Sequence, residues 1–119
     1  IFIQRALANQ PIKVYGDGEQ TRDFIFVKDI VAANVYMATH EEYTGVYNVA
    51  YGGKQTINEL VGNIIKLTSS SSTVEHAEQR AGDVKHSMAK VDKLLSTGFK
   101  PQYTFAEGLQ QTIEFFRNR

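Results

Sequence analysis

Arg22 and Arg80 are the residues whose types and spacing could do chemistry. Arg22 lies in "GDGEQTRDF" (16–24) and Arg80 opens "RAGDVKHS" (80–87). Both follow polar loops, and each has an aspartate nearby, Asp23 and Asp83. A guanidinium is planar and always charged, so it suits bidentate binding of phosphate oxygens. Two of them could neutralise a pyrophosphate, although two surface arginines in weak ion pairs would give the same pattern. Asp83 could accept hydrogen bonds from a vicinal diol such as a ribose, or simply complete a Gly-Asp turn. Tyr15 could stack on a base or serve as a half-buried strand tyrosine. His40, His76 and His86 show no metal-ligand spacing, so surface or hydrogen-bonding roles are expected. The absence of cysteine excludes disulfides and thiolate zinc sites.

The glycines of "GDGEQTRDF" do not make a phosphate-cradling loop. A dinucleotide fingerprint needs G-x-G-x-x-G between a strand and a helix. Here Thr21 takes the third glycine position and a strand-like "RDFIFV" follows. The Gly-Lys-Ser/Thr ending of an ATP loop is also missing. The glycines are therefore expected to form a tight, hairpin-like turn.

These residues need elements to position them. Ile3, Ala6 and Leu7 give a short helical face that stops near Asn9-Gln10-Pro11. "IKVY" (12–15) reads as a strand entering the turn. Residues 22–27 are apolar on both faces and read as a buried strand. Asp29 is expected to N-cap the helix "IVAANVYMAT". "GVYNVA" (45–50) reads as a second apolar strand. Thr56-Ile57-Asn58-Glu59 is a capping box, with Ile57, Leu60, Val61, Ile64 and Ile65 on one helical face behind it. "TSSSST" (68–73) reads as a flexible loop and Val74 to His76 as a short strand. "DKLLS" reads as a short helix closed by Gly98 and Pro101. A second capping box, Thr104 to Glu107, opens a last helix with Leu109, Ile113 and Phe116 inward. Alternating strands and helices predict an α/β fold.

The chain has 119 residues, enough for one domain with a real core. Its 42% hydrophobic and 22% charged residues are those of a globular protein. Thirteen basic and thirteen acidic residues cancel, which argues against nucleic acid as a partner. No apolar run is long enough for a membrane span, and no signal segment is present, so cytoplasmic residence is expected. The chain begins at Ile1, already in the body of a helix, and is expected to be part of a longer parent.

"PIKVYGDGEQTRDFIFVKDIVAANVYMA", "GVYNVAYGGKQTINEL" and "RAGDVKHSMAKVDKLLSTGFKPQYTFAEGLQQTIEFF" occur in this order and spacing. Together they resemble the C-terminal part of an extended short-chain dehydrogenase/reductase. Within that family the chain most resembles nucleotide-sugar 4-epimerases of the UDP-glucose and UDP-N-acetylglucosamine type. The resemblance implies that residues 1–119 form the C-terminal, substrate-binding portion of an extended Rossmann-type fold, with short strands packed with several helices. It implies that Arg22 and Arg80 hold the pyrophosphate and Asp83 the ribose hydroxyls. Val14 and Tyr15 would border the pyrimidine, partly through backbone groups, and Asn48 would lie near the phosphates. The related dTDP-glucose dehydratases tend to read R-P-G-H-D where this chain has R-A-G-D, which looks more like a UDP enzyme. Lys90 departs from the aspartate usual in the family.

The family's acid–base tyrosine, followed four positions later by lysine, has no counterpart. None of Tyr15, Tyr36, Tyr43, Tyr47, Tyr51 and Tyr103 has that lysine. The resemblance therefore implies no catalytic residue and no cofactor site in this chain. NAD and the acid–base pair would belong to an N-terminal domain of the parent. The sugar would be oxidised at carbon 4 with NAD, turn over, and be reduced on its other face. A dehydratase or reductase of the same superfamily, or a non-enzymatic UDP-sugar-binding module, are the alternatives. Exposed strand edges of "RDFIFV" and "VYNVA" would favour self-association.

Overall fold

The computed structural model describes residues 1–51, 53–82 and 92–119. The order is α1 (Phe2–Leu7), β1 (Ile12–Tyr15), β2 (Thr21–Arg22), α2 (Val27–Thr39), β3 (Gln55–Thr56), α3 (Ile57–Thr68), β4 (Val74–Ala77), α4 (Asp92–Leu95) and α5 (Phe105–Arg117). This is the α/β arrangement of short strands and several helices that the sequence predicts.

Among the described residues the strands form two small ladders. β1 and β4 run parallel, with Ile12 opposite Val74 and Tyr15 opposite Ala77. β2 and β3 are antiparallel, with Arg22 opposite Gln55. The turn between β1 and β2 therefore joins two different ladders and is not a hairpin. Its two glycines are still required, because Gly16 and Gly18 have φ of 82° and 76°, where a side chain is strained.

Both capping boxes are present. The Thr56 and Thr104 hydroxyls accept from the backbone of Glu59 and Glu107, and both glutamates reach back to the cap. The apolar faces behind them meet in the main core. Ala6, Ile12, Val14, Val61, Ile64, Leu109 and Ile113 bury together there. A second, smaller cluster joins Ala33 of α2, Leu94 of α4 and Phe99, with Tyr47 and Val49 packed on it.

Four local expectations need correction. Residues 23–26 are not strand, because β3 offers only two residues of ladder. Phe24 leaves instead to pack on Phe105 and Phe26 to pack on Tyr103, with ring centroids 6.0 and 4.9 Å apart. Residues 45–50 form no strand either, since no described strand lies beside them to accept a ladder. Among the described residues neither segment carries a ladder over these positions, and Val46 stands 84% exposed in the second. A further exposed apolar face lies on α2, at Val27, Val31 and Val35.

Asp29 is not an N-cap. α2 begins after Phe26, and Asp29 sits buried inside its first turn. Its two carboxylate oxygens accept from the backbone N–H groups of Gln102 and Tyr103, at 2.8 and 3.1 Å. It thus ties α2 to the entry of α5. The serine loop, finally, is fastened to α1. The Ser70 hydroxyl donates to the Ala6 carbonyl, and Ser71 N donates to Asn9 Oδ1.

Candidate functional site

Period-two alternation on β1 sends Ile12 and Val14 into the core and leaves Lys13 and Tyr15 on the other face. The parallel ladder continues one bond past Tyr15, where Gly16 N donates to the Ala77 carbonyl at 2.9 Å. The chain leaving β4 then brings Arg80 back over Tyr15. Its guanidinium carbon is 4.0 Å from the ring centroid, a cation–π stack. A hydrogen bond from Arg80 and its positive charge hold the Tyr15 phenol below its ordinary pKa. From the turn, Gln20 Nε2 donates to the Tyr15 carbonyl at 2.9 Å.

Tyr15 and Arg80 open onto a cavity of about 790 Å³, which Arg5, Lys13, Gln20 and Glu75 also line. Among the described lining side chains, three cations (Arg5, Lys13, Arg80) face one carboxylate (Glu75). Such a site attracts an anion, and the Tyr15–Arg80 stack offers a planar group a surface. The sequence reading missed Arg5 and Lys13. The alternation that placed Tyr15 could also have placed Lys13 on its face, whereas no sequence pattern pointed to Arg5.

The other predicted residues are spread more widely. Val14 is 1% exposed, so its side chain belongs to the core and only its backbone is left for a ligand. Arg22 is half-buried on β2, at the far end of the glycine turn from Tyr15, and Nη1 donates to the Thr21 carbonyl at 2.7 Å. The neighbouring Asp23 accepts from Tyr51 N. Asn48 is exposed in the irregular 45–50 segment. Neither Arg22 nor Asn48 is among the described residues lining the cavity. Asp83, His86 and Lys90 lie outside the described residues. His40 stacks on Tyr36 and its Nδ1 lies 2.7 Å from the Tyr36 carbonyl, and His76 meets Asn58, the ordinary hydrogen-bonding roles expected of them. No group of three or more His, Asp or Glu among the described residues could hold a metal.

The Gly16-Asp17-Gly18 turn runs from strand to strand, so it aims no helix N-terminus at a pyrophosphate. Among the described residues no helix is long and apolar enough to cross a membrane.

The model of the NAD dependent epimerase/dehydratase family matches residues 1–50. The chain is similar over its whole length to UDP-glucose 4-epimerase of Mycolicibacterium smegmatis, at 33% identity and covering 38% of that protein. Its structure matches that of UDP-N-acetylglucosamine 4-epimerase from Methanobrevibacter ruminantium in complex with UDP-N-acetylmuramic acid. The TM-score is 0.91 and the identity 42%, over 98% of this chain and 38% of that one. It also matches dTDP-glucose 4,6-dehydratase of Bacillus anthracis in complex with NAD, with a TM-score of 0.87 at 27% identity, over 99% of this chain and 38% of that one. The chain is thus similar to nucleotide-sugar epimerases and a nucleotide-sugar dehydratase, and it spans about 38% of the length of these proteins.

Proposed function

We propose that this chain binds the UDP part of a nucleotide-sugar as the C-terminal portion of an NAD-dependent 4-epimerase. The observation that carries the proposal is Arg80 stacked on Tyr15 at the mouth of a cavity with three cationic side chains. In this reading Tyr15 borders the pyrimidine and Arg80 turns its charge to the pyrophosphate. Arg22 approaches the phosphates from β2, Asp83 takes the ribose hydroxyls, and Asn48 lies near the phosphates. Val14 contributes its backbone. The NAD site and the acid–base pair belong to an N-terminal domain of the same cytoplasmic parent. The 119-residue chain is then catalytically inert and serves to hold the UDP end while the sugar end turns over.

The matched dTDP-glucose 4,6-dehydratase keeps a second reading in view, because the same clamp would serve a dehydratase. The R-A-G-D sequence at residues 80–83 favours a UDP substrate over a dTDP one. A free-standing UDP-sugar-binding module is the reading from another class. An upstream reading frame carrying a glycine loop and Tyr-x-x-x-Lys separates the enzyme from the module. Direct tests use calorimetry and turnover. UDP should bind far more tightly than uridine, and added salt should weaken it, because the cations grip the diphosphate. Equal affinity for UDP and uridine would remove the clamp. A homogeneous 119-residue preparation that interconverts UDP-glucose and UDP-galactose would overturn the division of labour.

A further inference from the structure

Asn58 is the second residue of α3, and it touches two separate segments, the glycine turn and β4. Its backbone N donates to the Gly18 carbonyl at 2.9 Å. Its side-chain nitrogen donates to the Asp17 carbonyl at 2.9 Å and to Glu19 Oε1 at 2.8 Å. Those two bonds use both amide hydrogens, so Oδ1 is the acceptor for His76 Nε2, 3.2 Å away on β4. The contact is close enough to dictate the sequence beside it. A Cβ built on Gly18 would collide with the Asn58 side-chain amide, and the φ of 76° at Gly18 already favours glycine there.

These two segments are the ones that lead to the two arginines. The Gly16–Gly18 turn leads into β2 and Arg22, whereas β4 leads out to Arg80. These strands belong to different ladders and share no strand-to-strand hydrogen bond. Asn58 binds the turn on one side and His76 on the other. It is not among the described residues lining the cavity.

We propose that Asn58 is a positioning residue, which fixes the glycine turn against β4 and so sets Arg22 and Arg80 for simultaneous contact with one diphosphate. This rests on the reading of those two arginines as the diphosphate clamp. Without the latch, the two arms must be ordered when the ligand binds, and the ordering cost is taken from affinity.

Calorimetric titration of UDP into the full-length protein tests this, with thermal unfolding recorded for each variant. Asn58→Asp is the informative substitution. Its carboxylate cannot donate to the Asp17 carbonyl and repels Glu19, yet an acid in the first turn of α3 suits the helix dipole. UDP binding should weaken on the order of tenfold while the unfolding midpoint stays near that of the wild type. Asn58→Ala should weaken binding similarly, and in an Arg22→Ala background it should add little, because the residue acts through the clamp. His76→Gln keeps a donor and should bind nearly as the wild type does. His76→Leu should bind more weakly, and it carries the test if the Asn58 variants fail to fold. Full additivity of the Asn58 and Arg22 losses would overturn the proposal. So would wild-type affinity in Asn58→Asp, or in His76→Leu, while Arg22→Ala binds poorly. Wild-type affinity in both Arg22→Ala and Arg80→Ala would instead remove the clamp itself, and the positioning role with it.

Discussion

Around Ile113, α1, β1, α3 and α5 close on one another and bury seven apolar side chains of the described residues. Around Ala33 the packing is thinner. Among the described residues, one helix, a four-residue α4 and two irregular segments bury Ala33, Leu94 and Phe99 there. The same α2 leaves Val27, Val31 and Val35 more than half exposed on a stripe of every fourth residue. Local signals account for the contrast. The first region has two capping boxes and strongly amphipathic helices, so its elements are specified by their own sequence. Residues 45–50 have strand composition but no described strand beside them, and composition cannot supply a ladder partner.

The comparison can be broken first at its strongest point. Ile113 is fully buried where α5 meets the other elements, so Ile113→Ala should cost about 2–5 kcal/mol in urea unfolding. A loss below about 1 kcal/mol would mean that this core is no firmer than the other. Asp29 tests the joint between the two regions. Removing its carboxylate in Asp29→Ala strands two backbone N–H groups, at a cost of about 1–3 kcal/mol. Unchanged stability would show that α2 and α5 are held together by other contacts.

Capping contributes less. Thr56→Ala should cost about 1 kcal/mol. The Glu59 carboxylate in that box is held below its ordinary pKa by hydrogen bonds from the backbone and side chain of Thr56. The folded state therefore binds its proton less readily than the unfolded chain does. Its contribution is complete above the unfolded glutamate pKa and is lost as pH falls through the lowered folded value. Glu59→Gln should flatten that acid-side decline, and an unaltered pH profile would count against it. The smallest effect is expected on the exposed stripe. Val35→Ser should change the stability of the 119-residue chain by less than about 0.5 kcal/mol. A larger loss would show that the stripe is packed against something.

What the sequence reveals follows the same division. Both capped helices, β1, β4, α4 and the glycine turn could be read from local pattern, because capping boxes, alternation and positive-φ glycines are short-range signals. The role of Asp29 could not be read. An aspartate before an apolar helix looks like a cap, and its real partners lie more than seventy residues away. Tyr15 and Arg80 were both identifiable as residues, but their stacking depends on the parallel pairing of β1 with β4, which no local pattern encodes. Arg5 was missed for a similar reason, since it reaches the cavity only through the placement of α1.

If the cationic cavity and the arginine-bearing turn hold a nucleoside diphosphate, Arg80 is the side chain whose loss shows it. Calorimetric titration of UDP into the full-length protein and its Arg80→Ala and Arg80→Lys variants tests it most directly. The alanine variant should lose on the order of 2–5 kcal/mol of binding free energy. Lysine should restore only part, because a point charge reproduces neither the bidentate fork nor the stack on Tyr15. UDP affinity in Arg80→Ala equal to that of the wild type would contradict the account and leave Arg80 a surface residue resting on a tyrosine.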